Sequence, residues 1–196
     1  MVLIVAAVGR SGSGKTVTIE YLVRQLSVEG FKVGVVKHVH HRGFTIDTEG
    51  KNTWRYAQAG AKVVVAISPD EVAIIRKVSP EVESLDNIIE VLERDDSLDI
   101  IFIEGYHDLV AHRGDMLKIV TAIDVVCLQE VLEGMVEPVL AVSGLIAKKS
   151  DCSFIQKYPV IKIPEEGKTL VDLIKQHMMI KMSKLREGFE VPKCDK

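Results

Sequence analysis

Eight residues, Gly9-Arg10-Ser11-Gly12-Ser13-Gly14-Lys15-Thr16, carry the spacing G-x-x-x-x-G-K-[ST]. A backbone that turns this tightly aims several N–H groups at one point, where a polyphosphate can sit. Gly12 and Gly14 leave room for that approach and for unusual φ angles. Lys15 brings a compact cation on a flexible stem, suited to β- and γ-phosphates, and the Thr16 hydroxyl can complete a Mg²⁺ shell otherwise made of phosphate and water. The apolar run 2–8 precedes this loop and the amphipathic segment 17–26 follows it. Strand, glycine turn and helix N-terminus in that order give the loop its context, because the positive end of the helix adds to the amides. Nucleotide binding is the first expectation.

Further residues offer chemistry from elsewhere in the chain. Residues 98–103 are a nearly continuous apolar run ending in Glu104-Gly105-Tyr106. A buried strand that delivers a carboxylate in this way serves Mg²⁺ or its water shell, which is the role expected of Glu104; a capping or salt-bridged carboxylate is the alternative. Asp99, at the entry end of the same run, should lie far from the phosphates. Lys37-His38-Val39-His40-His41 stands where a second strand leaves the sheet, and alternation puts His38 and His40 on one face. Neutral imidazoles there could take a transition metal or an anionic ligand, the other reading being structural histidines. Asp47 is the natural second carboxylate, facing ribose, Mg²⁺ or an attacking water beside the γ-phosphate, unless it only forms a turn. Lys51 and Arg55 share a helical face at i, i+4 and could hold an anion such as a pterin phosphate, with Trp54 stacked on a heterocycle or packed at a subunit interface. Lys149-Ser150-Asp151 resembles half of a guanine-reading motif, with Asp151 as acceptor for the base. The catalytic candidates are thus Lys15, Asp47 and Glu104, and the metal candidates Thr16, Asp47 and Glu104. Nucleotide contacts are expected from Gly9 through Thr16, with Arg10 either exposed or reaching a partner's nucleotide, and from His38, His40, Lys51 and Asp151.

These residues need a scaffold, and the rest of the chain supplies one. At 196 residues, 47% apolar and a net charge of −3, it fits a single α/β domain over 1–187 with a frayed tail at 188–196. The balance excludes a disordered chain and gives no support to nucleic-acid binding. Strands are predicted at 31–37, 98–103, 117–120, 139–142 and 160–163. Segments 62–67 and 71–78, separated by Ser68-Pro69-Asp70, read as a hairpin added to the sheet. Gly30 should end the first helix, and later helices are predicted at 53–59, 85–92 and from 170 onward, the last with Thr169 as cap and Asp172 in its first turn. Met178, Met179 and Met182 read as gap-filling core, with a partner surface as the alternative. Cys127, Cys152 and Cys194 are too scattered for a disulfide framework or zinc ribbon. The apolar start is too short to span a membrane and has no basic flank, so a cytoplasmic protein is expected. The fold class is a mainly parallel P-loop NTPase sheet between helices, with ligand over the carboxyl ends of its strands.

Several segments occur together in a telling order: the phosphate loop, Val36-Lys37-His38-Val39-His40-His41, Phe44-x-x-Asp47-x-x-Gly50-Lys51-Asn52-Thr53 with Ala59-Gly60-Ala61, and Ile103-Glu104-Gly105-Tyr106. Over about the first 120 residues the chain resembles the molybdopterin-guanine dinucleotide biosynthesis adaptor family, MobB. One departure stands out: the family's Gly-Lys-Asp is Gly50-Lys51-Asn52 here. The resemblance implies a homodimeric GTP-binding protein with slow GTPase activity. Such a protein assists the guanylyltransferase that joins GMP to the phosphate of molybdopterin. Two other classes compete. The histidines suit a metal-inserting GTPase of the hydrogenase or urease accessory type, which would also carry cysteine-containing metal motifs. A small-molecule kinase would need an arginine-rich lid.

Overall fold

The computed structural model describes residues 2–41, 43–78, 84–94 and 97–187, with the backbone alone over 184–187. They gather into two compact units, one from the segments up to His38 and beyond Asp95, the other from Val39 to Arg94. The expected tail at 188–196, with Cys194, lies outside the described residues.

The first unit is built on a parallel five-stranded sheet. Its strands are β1 (Leu3–Val8), β2 (Val33–Lys37), β5 (Ile100–Glu104), β6 (Leu117–Thr121) and β7 (Val139–Ser143), in the order β2-β5-β1-β6-β7. Every residue of β1, β5 and β6 is buried, as befits strands covered on both faces. Leu3, Val5 and Ala7 join Ile100 and Phe102 in a core shared with α1 (Lys15–Val28) and α7 (Gly167–Glu187). On alternation, Ile4, Ala6 and Val8 face the other way. Two short helices, α4 (His107–Ala111) and α5 (Val125–Leu132), pack against β1 and β6 respectively. Lys118 of β6 is fully buried. Its ammonium donates to the carbonyls of Arg113 and Met116, and burial holds its pKa below the ordinary lysine value.

β1 and β2 flank α1 in sequence but are not neighbours in the sheet, because β5 inserts between them and pairs with both. Several expectations change elsewhere in this unit. Of 160–163 only Val160 bridges the sheet, to Val142, while a short hairpin of β8 (Phe154–Ile155) and β9 (Tyr158–Pro159) precedes it. Pro159 and Pro164 bracket the run and have no N–H to give. The last helix starts at Gly167, not after Thr169, since Gly167 N already donates to Pro164 O at 3.1 Å. Asp172 accordingly falls beyond the first turn. Met178 packs on the core, but Met179 and Met182 are exposed on the outer face of α7. Three helices went unforeseen: α4, α5 and α6 (Leu145–Lys149).

The second unit holds α2 (Asn52–Gln58), β3 (Val63–Ile67), β4 (Val72–Arg76) and α3 (Leu85–Glu93). The hairpin forms as expected, Val63 opposite Arg76 through Ile67 opposite Val72. Ser68 closes its turn, N to Glu71 O at 2.8 Å, with its hydroxyl accepting from Glu71 N. It is a two-stranded sheet of its own, not an extension of the parallel sheet. Its residues alternate in exposure, with Val64 buried and Val63, Val65 and Ile67 exposed, unlike the continuous buried runs of β1 and β5. Ser84 caps α3 by accepting from Asn87 N. Among the described residues no helix is long and apolar enough to cross a membrane.

Candidate functional site

The phosphate loop runs from the end of β1 into α1. Gly14 stands at the helix N-cap with φ 109°, no side chain caps the helix, and its first turn holds no acidic residue. The first-turn amides and the positive helix end are therefore open to an anion. Lys15 folds back over the loop, its Nζ donating to Gly9 O and Arg10 O at 2.8 Å each. Burial lowers its pKa from the ordinary lysine value and the Lys37 charge acts in the same direction, while Glu104 opposes both. A phosphate would give this ammonium a better partner than two carbonyls.

The loop is held from behind by the far half of the sheet. Ser13 and Thr121, both fully buried, share a hydrogen bond of 2.7 Å. Leu145 N donates to Ser13 O at 3.1 Å, which places the start of α6 against the loop. Gly144 makes that approach possible: its φ is 87°, and a Cβ built on it would stand 2.1 Å from Ser13 O. No feature of local sequence marked Thr121 or Gly144 as part of this site. Arg10 points outward and pairs with Glu130 of α5 at 2.9 Å, an exposed contact.

Glu104 ends β5 facing the loop. The Thr16 hydroxyl donates to its Oε1 at 2.9 Å, and Lys37 Nζ lies 2.5 Å from the same oxygen. Lys37 was not singled out as a site residue. It arrives there because it is the in-register neighbour of Glu104 across the β2–β5 ladder. Lys15, Thr16, Lys37 and Glu104 line one cleft of about 360 Å³ together with Ser11, Gly12 and Gly14. A hydroxyl and a carboxylate 2.9 Å apart are hard oxygen donors of the kind that Mg²⁺ selects, so the residues present fit that ion.

The second nucleotide-motif residue thus reaches the loop. A scan against protein-family models matches residues 4–131 to "Molybdopterin guanine dinucleotide synthesis protein B", MobB, which is well over half of the chain. The chain belongs to the MobB family. A molybdopterin-guanine dinucleotide biosynthesis adapter protein of Haemophilus influenzae is 34% identical to it, the match covering 59% of this chain and 66% of the relative. The corresponding protein of Escherichia coli is 32% identical, covering 57% and 63%. The matched segment thus spans just under two thirds of these relatives. The crystal structure of Bacillus subtilis MobB superposes with a TM-score of 0.67 at 27% identity, over 89% of this chain and 96% of that one. The MobB likeness bears out the P-loop NTPase fold class.

The other expected residues are placed as follows. His38 follows β2, its N donating to Glu104 O, and its ring stacks on Tyr106 with centroids 4.0 Å apart. Tyr106 is left-handed (φ 54°) and follows Gly105, where a Cβ would meet that of His38 at 2.9 Å. In the second unit His40 is exposed. Asp47 Oδ1 accepts from Thr48 N at 2.9 Å and from the Thr53 hydroxyl at 2.8 Å, which ties the residue to the first turn of α2. Its Oδ2 is buried without a hydrogen-bond partner among the described residues. Lys51, the N-cap of α2, is exposed, as is Asp151 in the loop after α6. Asp99 ties β5 to Lys32 N at 2.8 Å, at the end of the sheet away from the loop. Among the described residues no three His, Cys, Asp or Glu side chains gather as a metal-binding group.

Proposed function

We propose that this MobB protein is a GTP-binding adaptor in molybdopterin guanine dinucleotide biosynthesis, a homodimer with slow GTPase activity. It would assist a guanylyltransferase in joining GMP to molybdopterin. The observation that carries the nucleotide part is the convergence of Thr16 and Glu104 on one cleft beneath the open N-terminus of α1. The pathway is supported by the family and by the relatives that bear its name.

In this reading the loop amides and Lys15 hold the β- and γ-phosphates, Lys15 leaving its two carbonyls to do so. Thr16 and Glu104 hold Mg²⁺, whose charge offsets that of the phosphates. Glu104, hydrogen-bonded from Thr16, is also the carboxylate available to position water. The roles of His40, Asp47 and Lys51 rest on the sequence pattern, and that of Asp151 as a guanine acceptor on its short motif. Among the described residues no glutamine or arginine lines the cleft, and Arg10 is engaged by Glu130. Hydrolysis should therefore be slow.

The test is calorimetric titration with non-hydrolysable GTP and ATP analogues in Mg²⁺, beside a phosphate-release assay. Binding that favours the GTP analogue supports the reading. Failure to bind either nucleotide would refute it, and turnover of about 1 per second or faster would mark a dedicated enzyme. His40→Ala with Asp47→Asn should lower turnover or coupling to the transferase.

A further inference from the structure

Lys37 and Glu104 close two neighbouring strands in register, so the backbone itself sets their side chains together at the mouth of the cleft. Lys37 Nζ and Thr16 Oγ1 both address a single oxygen, Glu104 Oε1. That is the oxygen a cation held by Thr16 and Glu104 would claim. We propose that Lys37 is a metal-displaced phosphate ligand: it neutralises Glu104 in the unliganded protein and turns to the polyphosphate, beside Lys15, once a divalent cation holds Glu104. The inference rests on the reading of this cleft as a Mg²⁺–nucleotide site.

Three observations support it. First, the ion pair is easily given up. The Lys37 side chain is 52% exposed, so water can solvate the ammonium as it leaves Glu104. Second, Glu104 is only 12% exposed, so its charge needs a cation in both states, and among the described residues Lys37 is the cationic group hydrogen-bonded to it. Third, the released ammonium has a defined place to go. The Lys37 side chain borders a groove lined by Ile19, Val23 and Val35 together with Glu20 and Arg24. The same residue also lines the cleft shared with Ser11, Gly12, Gly14 and Lys15, where the phosphates would replace the anion it has lost.

The experiment is a thermodynamic cycle on the full chain. A non-hydrolysable GTP analogue is titrated into wild type and Lys37→Met, each in Mg²⁺ and in EDTA. Lys37→Met keeps the stem and removes the charge. In Mg²⁺ the variant should bind about tenfold more weakly, the scale of one charge-assisted hydrogen bond. In EDTA, where Lys37 stays on Glu104, the loss should be about twofold or less. Lys37→Arg should recover most of the Mg²⁺-dependent loss, and a damaged β2 would not be repaired by it. Equal losses in both conditions, or none in either, would overturn the inference while leaving the nucleotide site standing. A wild-type protein that binds no analogue in Mg²⁺ would remove the site itself and this inference with it.

Discussion

Replacing Thr121 by Val removes one oxygen and almost no volume, from a side chain with no exposure and no expected contact with a ligand. Thr121 Oγ1 donates to Val8 O at 3.3 Å, so in its 2.7 Å contact with Ser13 it must accept, and Ser13 donates. The valine therefore leaves the Ser13 hydroxyl buried with nowhere to donate. An orphaned buried donor costs about 1–3 kcal/mol, which should appear as a lower urea midpoint with unchanged slope. Ser13→Ala removes the donor as well. The double variant should thus be more stable than the sum of the single losses allows, by about 0.5–3 kcal/mol. Nucleotide-free protein is required, so that ligand stabilisation does not obscure the difference. A Thr121→Val protein within about 0.5 kcal/mol of wild type, or strictly additive variants, would refute the view that the far half of the sheet fixes the loop.

Three other outcomes follow. Lys15→Ala should abolish the thermal stabilisation by GTP and Mg²⁺, worth about 2.7 kcal/mol in wild type at 100 times the dissociation constant, and an equal shift in both proteins would remove Lys15 from the site. Gly144→Ala should cost about 1–3 kcal/mol and weaken nucleotide binding, because the new methyl meets Ser13 O in a left-handed backbone; an unchanged melting temperature would show that the loop moves aside freely. The Arg113 side chain donates to Asp115 and holds its carboxyl below the usual value of 3.8. A depressed folded pKa gives stability that is present above the unfolded value and lost as pH falls through the folded one. The stability gap between wild type and Asp115→Asn should hold at neutral pH and close below about pH 4, and a gap that persists in strong acid would contradict this.

The phosphate loop was legible because its chemistry is local: residue types at fixed spacing determine where the amides, the lysine and the hydroxyl stand. The same holds for the Ser68-Pro69-Asp70 turn and for β5, whose apolar run ends on the carboxylate that reaches Thr16. Lys37 was hidden for a different reason. Its partner lies 67 positions away, and only the order of strands decides that β2 runs beside β5. Thr121 stands 108 positions from Ser13, and nothing near it in sequence announces a loop to be supported. Helix α5 escaped notice because Val125 and Val126 suit a strand as well as a helix, although Asp124 caps it by accepting from Cys127 N. Met179 and Met182 look like core by composition, and only their position on the outer face of α7 exposes them.

The insertion of β5 between β1 and β2 bears on how the chain is made. Leu3 pairs with Ile100 and Val5 with Leu117, while β2 finds its sheet partner in β5. Neither strand on either side of α1 can hydrogen-bond into the sheet until β5 has been synthesised, nearly a hundred residues after β1. At about 5–20 residues per second, β1 waits roughly 5–20 s on or near the ribosome. It is among the most apolar segments of the molecule, and in that interval its edges are unpaired. The second unit emerges entirely within this interval, its hairpin closing on local contacts between β3 and β4. The strand that bears the phosphate loop is thus the one left longest without a partner, and slowed translation or a scarcity of chaperones should show first as aggregation through residues 3–8.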